Sequence, residues 1–99
     1  MIVYQGEIAI DGSTVITCTT NNMTIYNIII TNLTTNYTLT VNRISNNLEE
    51  LNSVPLCEFQ LDAGDTVKDG TSYLFNKGDS LQLISDVLGT TFYVNALTR

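Results

Sequence analysis

Ninety-nine residues allow one core, because a chain this short buries only about two-thirds of the surface it exposes when unfolded. A hydrophobic fraction of 43% and a mean hydropathy of +0.12 exclude a disordered polar chain. Four scattered basic residues (Arg43, Lys68, Lys77, Arg99) against ten acidic ones give a net charge of −6, which leaves no electrostatic footprint for nucleic acid, and no apolar run nears the roughly 20 residues that span a bilayer.

From the amino terminus, Met1 to Glu7 lacks the basic start and long apolar stretch of a secretion signal, so synthesis and assembly in the cytosol are expected. Ile2, Tyr4, Ile8 and Ile10 share parity while Gln5 and Glu7 face the other way, with Gly6 as a bulge or kink. Residues 1–7 are thus either a docking arm or an in-domain edge strand. Asp11-Gly12 reads as a turn. Val15 to Thr19 is a short strand, and Met23 to Leu33 is the longest β-rich run, where Ile28, Ile29 and Ile30 suggest a strand buried on both faces. Thr34-Thr35-Asn36 connects to a strand in which Tyr37, Leu39 and Val41 alternate with Thr38, Thr40 and Asn42.

Residues 44–54 read as a loop excursion in which Leu48-Glu49-Glu50-Leu51 could form one helical turn. Pro55 then opens a strand that places Cys57, Phe59 and Leu61 on the core face. Ala63-Gly64-Asp65-Thr66 and Lys77-Gly78-Asp79-Ser80 are two similar turns, separated by Asp69-Gly70 and Tyr73-Leu74-Phe75. Leu81 and Leu83 flank Gln82, and after Leu88-Gly89-Thr90 a last strand carries Phe92, Val94 and Ala96. About eight short strands and no crossover helix predict an all-β fold: one antiparallel β-sandwich over 1–99, jelly-roll-like, with a closed barrel as the alternative.

Chemistry-bearing groups are few. There is no histidine, so the Ser-His and Cys-His pairs of nucleophilic catalysis cannot be built, and no enzyme or cofactor is expected. Two cysteines, Cys18 and Cys57, cannot close a zinc site and are expected as buried free thiols. Glu49 and Glu50 are adjacent, and such neighbours diverge on a strand. Asp62, Asp65 and Asp69 beside Gly64 and Gly70 are the set that could hold a hard cation such as calcium, although turn chemistry explains each aspartate equally well. Three Asn-x-Thr sequons, at Asn22, Asn32 and Asn36, are expected by chance in a chain with 11 Asn and 15 Thr. Among five tyrosines, Tyr37 has core parity and Tyr93 has surface parity.

The order of Thr14-Val15-Ile16-Thr17, Thr24 to Asn32, Tyr37 to Val41, then Phe59 to Thr66 with its Ala-Gly-Asp-Thr, and Tyr73 to Leu83 with its Gly-Asp, resembles small all-β virion proteins of tailed bacteriophages. The likeness runs from about Thr14 to Val94 and departs at the longer, acidic stretch from Arg43 to Pro55. It implies a non-enzymatic auxiliary or decoration protein on the capsid, bound to the major capsid protein or to itself, found in the virion and assembled in the host cytoplasm. A tail, collar or fibre-anchoring protein is the alternative within the same class. The tyrosines and the aspartate set motivate a third reading, a carbohydrate-binding module. For attachment, Ile2, Val3, Tyr4 and Tyr93 are the interface candidates, since an open sheet edge invites pairing with another chain.

Overall fold

The computed structural model describes residues 1–11, 13–47 and 50–98. Its strands are β1 (Ile2–Glu7), β2 (Thr14–Thr17), β3 (Asn22–Asn32), β4 (Tyr37–Asn47), β5 (Glu50–Leu61), β6 (Thr66–Asp69), β7 (Tyr73–Asn76), β8 (Ser80–Ile84) and β9 (Thr90–Thr98), with no helix among the described residues. Every ladder is antiparallel. One sheet runs β1-β9-β3-β6, with β7 also on β3, and the other runs β2-β8-β4-β5.

β6 and β7 lie on successive stretches of the same neighbour, Thr66–Asp69 against Thr31–Ile28 and Tyr73–Asn76 against Ile25–Asn22. They are one strand interrupted over residues 70–72. Counted so, the nine strands become eight in two sheets of four, whose order is that of a jelly-roll sandwich. Neither sheet closes on itself, so the barrel alternative is set aside. The thinnest dimension, 19 Å, is what two sheets about 10 Å apart plus their outer side chains should occupy.

The core takes alternate residues from both sheets: Met23, Ile25, Ile28, Ile30, Phe75, Val94 and Ala96 from the first, and Ile16, Leu39, Val41, Leu61, Leu81 and Leu83 from the second. In β3 the inward phase changes from odd to even because the register with β9 shifts between Ile25 and Asn27. Ile28 and Ile30 are buried, whereas Ile29 faces outward and is half-buried, so the isoleucine run is not buried on both faces. A bulge inserts one residue and resets the side-chain phase, which makes a one-sided strand look two-sided in sequence.

Residues 44–54 are not a loop excursion. β4 continues to Asn47 and β5 starts at Glu50, with pairs from Ile44↔Ser53 to Asn47↔Glu50. β8 stops at Ser80↔Ile44, so beyond that point the two arms have only each other as ladder partners. Backbone groups pair whatever side chains they carry, and a polar composition does not stop a hairpin from lengthening. Of the expected helical turn, Glu50 and Leu51 lie in strand, and Leu48 and Glu49 lie outside the described residues. Pro55 does not open its strand either; it sits within β5 opposite Asn42, where the register shifts. On an edge strand its missing N–H costs no ladder bond.

Candidate interaction surface

β1 forms one edge of the first sheet and pairs with β9 from Ile2↔Ala96 to Glu7↔Thr91. Sharing phase with Val94 and Ala96, Ile2 and Tyr4 point inward. The Tyr4 ring packs on the core and its hydroxyl lies 4.0 Å from Met23 Sδ, so Tyr4 is a packing residue and not an exposed contact. Val3 and Tyr93 are on the outward face, 38% and 37% exposed. Ile2, although inward in phase, stays open at the sheet's end. The four interface candidates are therefore neighbours in space but divide between the two faces.

The ladders place further side chains on this outward face. Gln5, Tyr93, Ile29 and Lys68 form one cross-strand row, Glu7, Thr91, Thr31 and Thr66 a second, and Leu97, Thr24 and Leu74 a third. Leu97 and Leu74 are exposed, so the face carries a discontinuous apolar band with Val3 and Tyr93. Between Gln5, Ile29, Thr31 and Tyr93 lies a shallow groove of about 340 Å³. A side-chain amide pair crosses the middle of the face, Asn27 Nδ2 donating to Asn95 Oδ1 at 2.8 Å.

The four sheet edges differ in how they are guarded. β2 has only four residues, β5 carries Pro55 and a register shift, and β6 and β7 are split and carry Lys68. Short length, proline, irregularity and lysine are the devices that discourage strand addition. β1 carries one charge, Glu7 at its end, and Ile2 to Gly6 contains none of these devices. Sequence parity missed the outward placement of Leu74 and Leu97, because that depends on which strands become neighbours.

The other candidates resolve differently. Among the described residues no three His, Cys, Asp or Glu side chains are grouped to hold a metal ion, so Asp62, Asp65 and Asp69 do not make a calcium site. Asp65 Oδ2 accepts the Asp62 N–H at 2.9 Å within its turn, whereas Asp69, at the far end of β6, accepts from Thr71 N–H at 2.9 Å and from the Tyr73 hydroxyl at 2.6 Å. Turn chemistry thus uses the Asp65 and Asp69 carboxylates where they stand, and Asp62 enters its turn through its backbone. The Gly78-Asp79 turn repeats this geometry: Asp79 Oδ2 accepts the Asn76 N–H at 3.0 Å and also pairs with Arg43 at 2.8 Å, whose guanidinium lies over the Phe75 ring. No spacing rule links residues 43, 75 and 79, so this cluster was invisible in sequence.

Both cysteines are free, Cys18 buried and Cys57 half-buried. Burial, then the nearby Asp69 charge, push the Cys57 thiol up to about 11, against the pull of the Tyr73 hydroxyl. Burial also draws the Asp69 carboxyl upward, but hydrogen bonds from Tyr73 and Thr71 outweigh it and hold the group below the usual carboxylate value. Tyr73 is raised by burial and by donating to Asp69. A thiol held protonated at neutral pH is a poor nucleophile. Comparison with family models, curated proteins and solved structures finds no match for this chain.

Proposed function

We propose that this chain is a non-enzymatic structural component of a phage particle, an auxiliary protein that decorates the capsid by docking on the lattice of the major capsid protein. The observation that carries the reading is the unguarded β1 edge beside the outward Val3 and Tyr93. A free monomer gains nothing from such an edge and risks aggregation, whereas a lattice component can use it for strand addition. Two further features support it: the chain lacks histidine, and Cys57 is held as the neutral thiol. Jelly rolls serve capsids, lectins and other proteins alike, so the fold does not choose among them.

Mass spectrometry of purified particles, with stoichiometry, tests the reading. On the order of hundreds of copies per particle is expected for a decorating protein, about a dozen would move the chain to the tail or collar, and absence from particles would remove the virion reading altogether. The docking edge has its own test in the Val3→Lys, Gln5→Lys double variant. It should fold as wild type, since both side chains face outward, and its copy number should fall about ten-fold, a loss of about 1.4 kcal/mol in docking. Undiminished incorporation would exclude β1 as the attachment strand.

A further inference from the structure

The jelly-roll winding brings four connections to one end of the sandwich, with described residues 8–11 and 13, 33–36, 62–65 and 85–89. Hydrogen bonds knit them together. Ile8 N–H donates to Thr90 O at 2.8 Å, Gly89 N–H to Glu7 Oε1 at 3.1 Å, and Leu33 N–H to Gly89 O at 3.3 Å. Asn32 N–H donates to Asp65 O at 2.8 Å, and Ala63 N–H to Asn36 Oδ1 at 3.0 Å. From this tied platform three large aliphatic side chains project into water, Leu33 71%, Leu88 61% and Ile10 55% exposed. The same end carries Glu7, Asp11, Asp62, Asp65 and Asp86, half of the ten acidic residues of the chain. The four connections contain no lysine or arginine: Arg43 and Lys77 belong to the other end, and Lys68 lies within β6.

We infer that this loop end is a docking surface for a protein partner whose contact patch is apolar and ringed by lysine or arginine. Aliphatic side chains on tied-down loops lose little entropy on burial, and a rim of one sign steers an oppositely charged partner while repelling another copy of itself. That repulsion is why the occupant is not a second copy of this chain, which would bring the same acidic rim. The surface is distinct from the β1 edge and does not rest on the virion reading, so either can fail without the other.

The test uses the whole protein, amide-resolved NMR and three short synthetic peptides alternating Lys with Leu, Lys with Ser, and Glu with Leu. Only the Lys-Leu peptide should bind, with shifts confined to residues 8–13, 33–36, 62–65 and 85–89. Its affinity should fall about ten-fold in the Leu33→Ser, Leu88→Ser variant, whose side chains are exposed and whose fold should be kept, and by a similar factor in Asp62→Asn, Asp86→Asn. Raising salt from about 0.05 M to about 0.5 M should also weaken binding. Equal binding of the Lys-Ser peptide would reduce the effect to bulk charge and overturn the inference. So would equal binding of the Glu-Leu peptide, shifts centred on β1, or concentration-dependent shifts of the same loops in the protein alone.

Discussion

Single side chains hold the loop end in place. Asn32 is fully buried at the end of β3 and uses its whole amide: Nδ2 donates to Thr35 O and Asp62 O at 2.9 and 3.2 Å, while Oδ1 accepts from Thr34 N–H, the Thr34 hydroxyl and the Thr90 hydroxyl. The Tyr37 hydroxyl in turn donates to Thr90 Oγ1 at 2.6 Å. The sequon at Asn32 is therefore a structural amide. Asn32→Ala should cost about 3 kcal/mol in urea unfolding, because it removes a buried amide that makes five hydrogen bonds at once. Gly89 has φ +92, and a Cβ there would run into the Thr34 side chain. Gly89→Ala should cost about 2 kcal/mol by the same measurement. At Cys57 the prediction is kinetic: with its thiol at about 11, alkylation at pH 8 should run about a hundred-fold slower than for an unperturbed thiol.

At the scale of strands, irregular positions carry the information that a simple alternation misses. The β3 register shift lies opposite the interruption between β6 and β7, so one irregularity is matched on both flanks of the strand. The two Gly-Asp turns were readable as turns because Gly64 and Gly78 both adopt positive φ, +87 and +92, as the third residue of a tight bend. The β4–β5 extension offers an element-scale prediction. Replacing residues 45–52 by Asn-Gly keeps the Ile44↔Ser53 pair as the hairpin's last rung and removes a ribbon that pairs only with itself. An isolated two-stranded ribbon is marginal in water, so unfolding free energy should drop by no more than about 1 kcal/mol. A larger loss would mean that the ribbon packs on the sandwich.

Over the whole molecule, charge and titration set the pH range of stability. Asp69 has a folded value below the ordinary carboxylate one, so the unfolded chain takes up its proton first as pH falls. Its contribution is present above about pH 4 and is lost as pH drops through the folded value. Asp69→Asn should flatten that acid limb in thermal melts. The sign reverses for Cys57: its neutral thiol is favoured in the fold, so its contribution is full below the ordinary thiol value of 9.0 and is lost as pH rises toward 11. Cys57→Ala should be less sensitive over that alkaline range than the wild type.

Alternation along Tyr37–Val41, the glycine turns and the missing crossover helices were enough to establish an antiparallel all-β fold, because side-chain period and turn chemistry are local properties of a strand, whereas sandwich over closed barrel was decided by the sheet order. The inward Tyr37 and the outward Tyr93 follow from the same local parity. What the sequence could not disclose are the relations between distant strands. Whether Asp62, Asp65 and Asp69 converge, which edge is left unguarded, and that Leu33, Leu88 and Ile10 share an acidic end all depend on sheet order and register. Those are fixed only when the two sheets close over a common core, since burial of the whole apolar set, and not any one segment, selects the pairing.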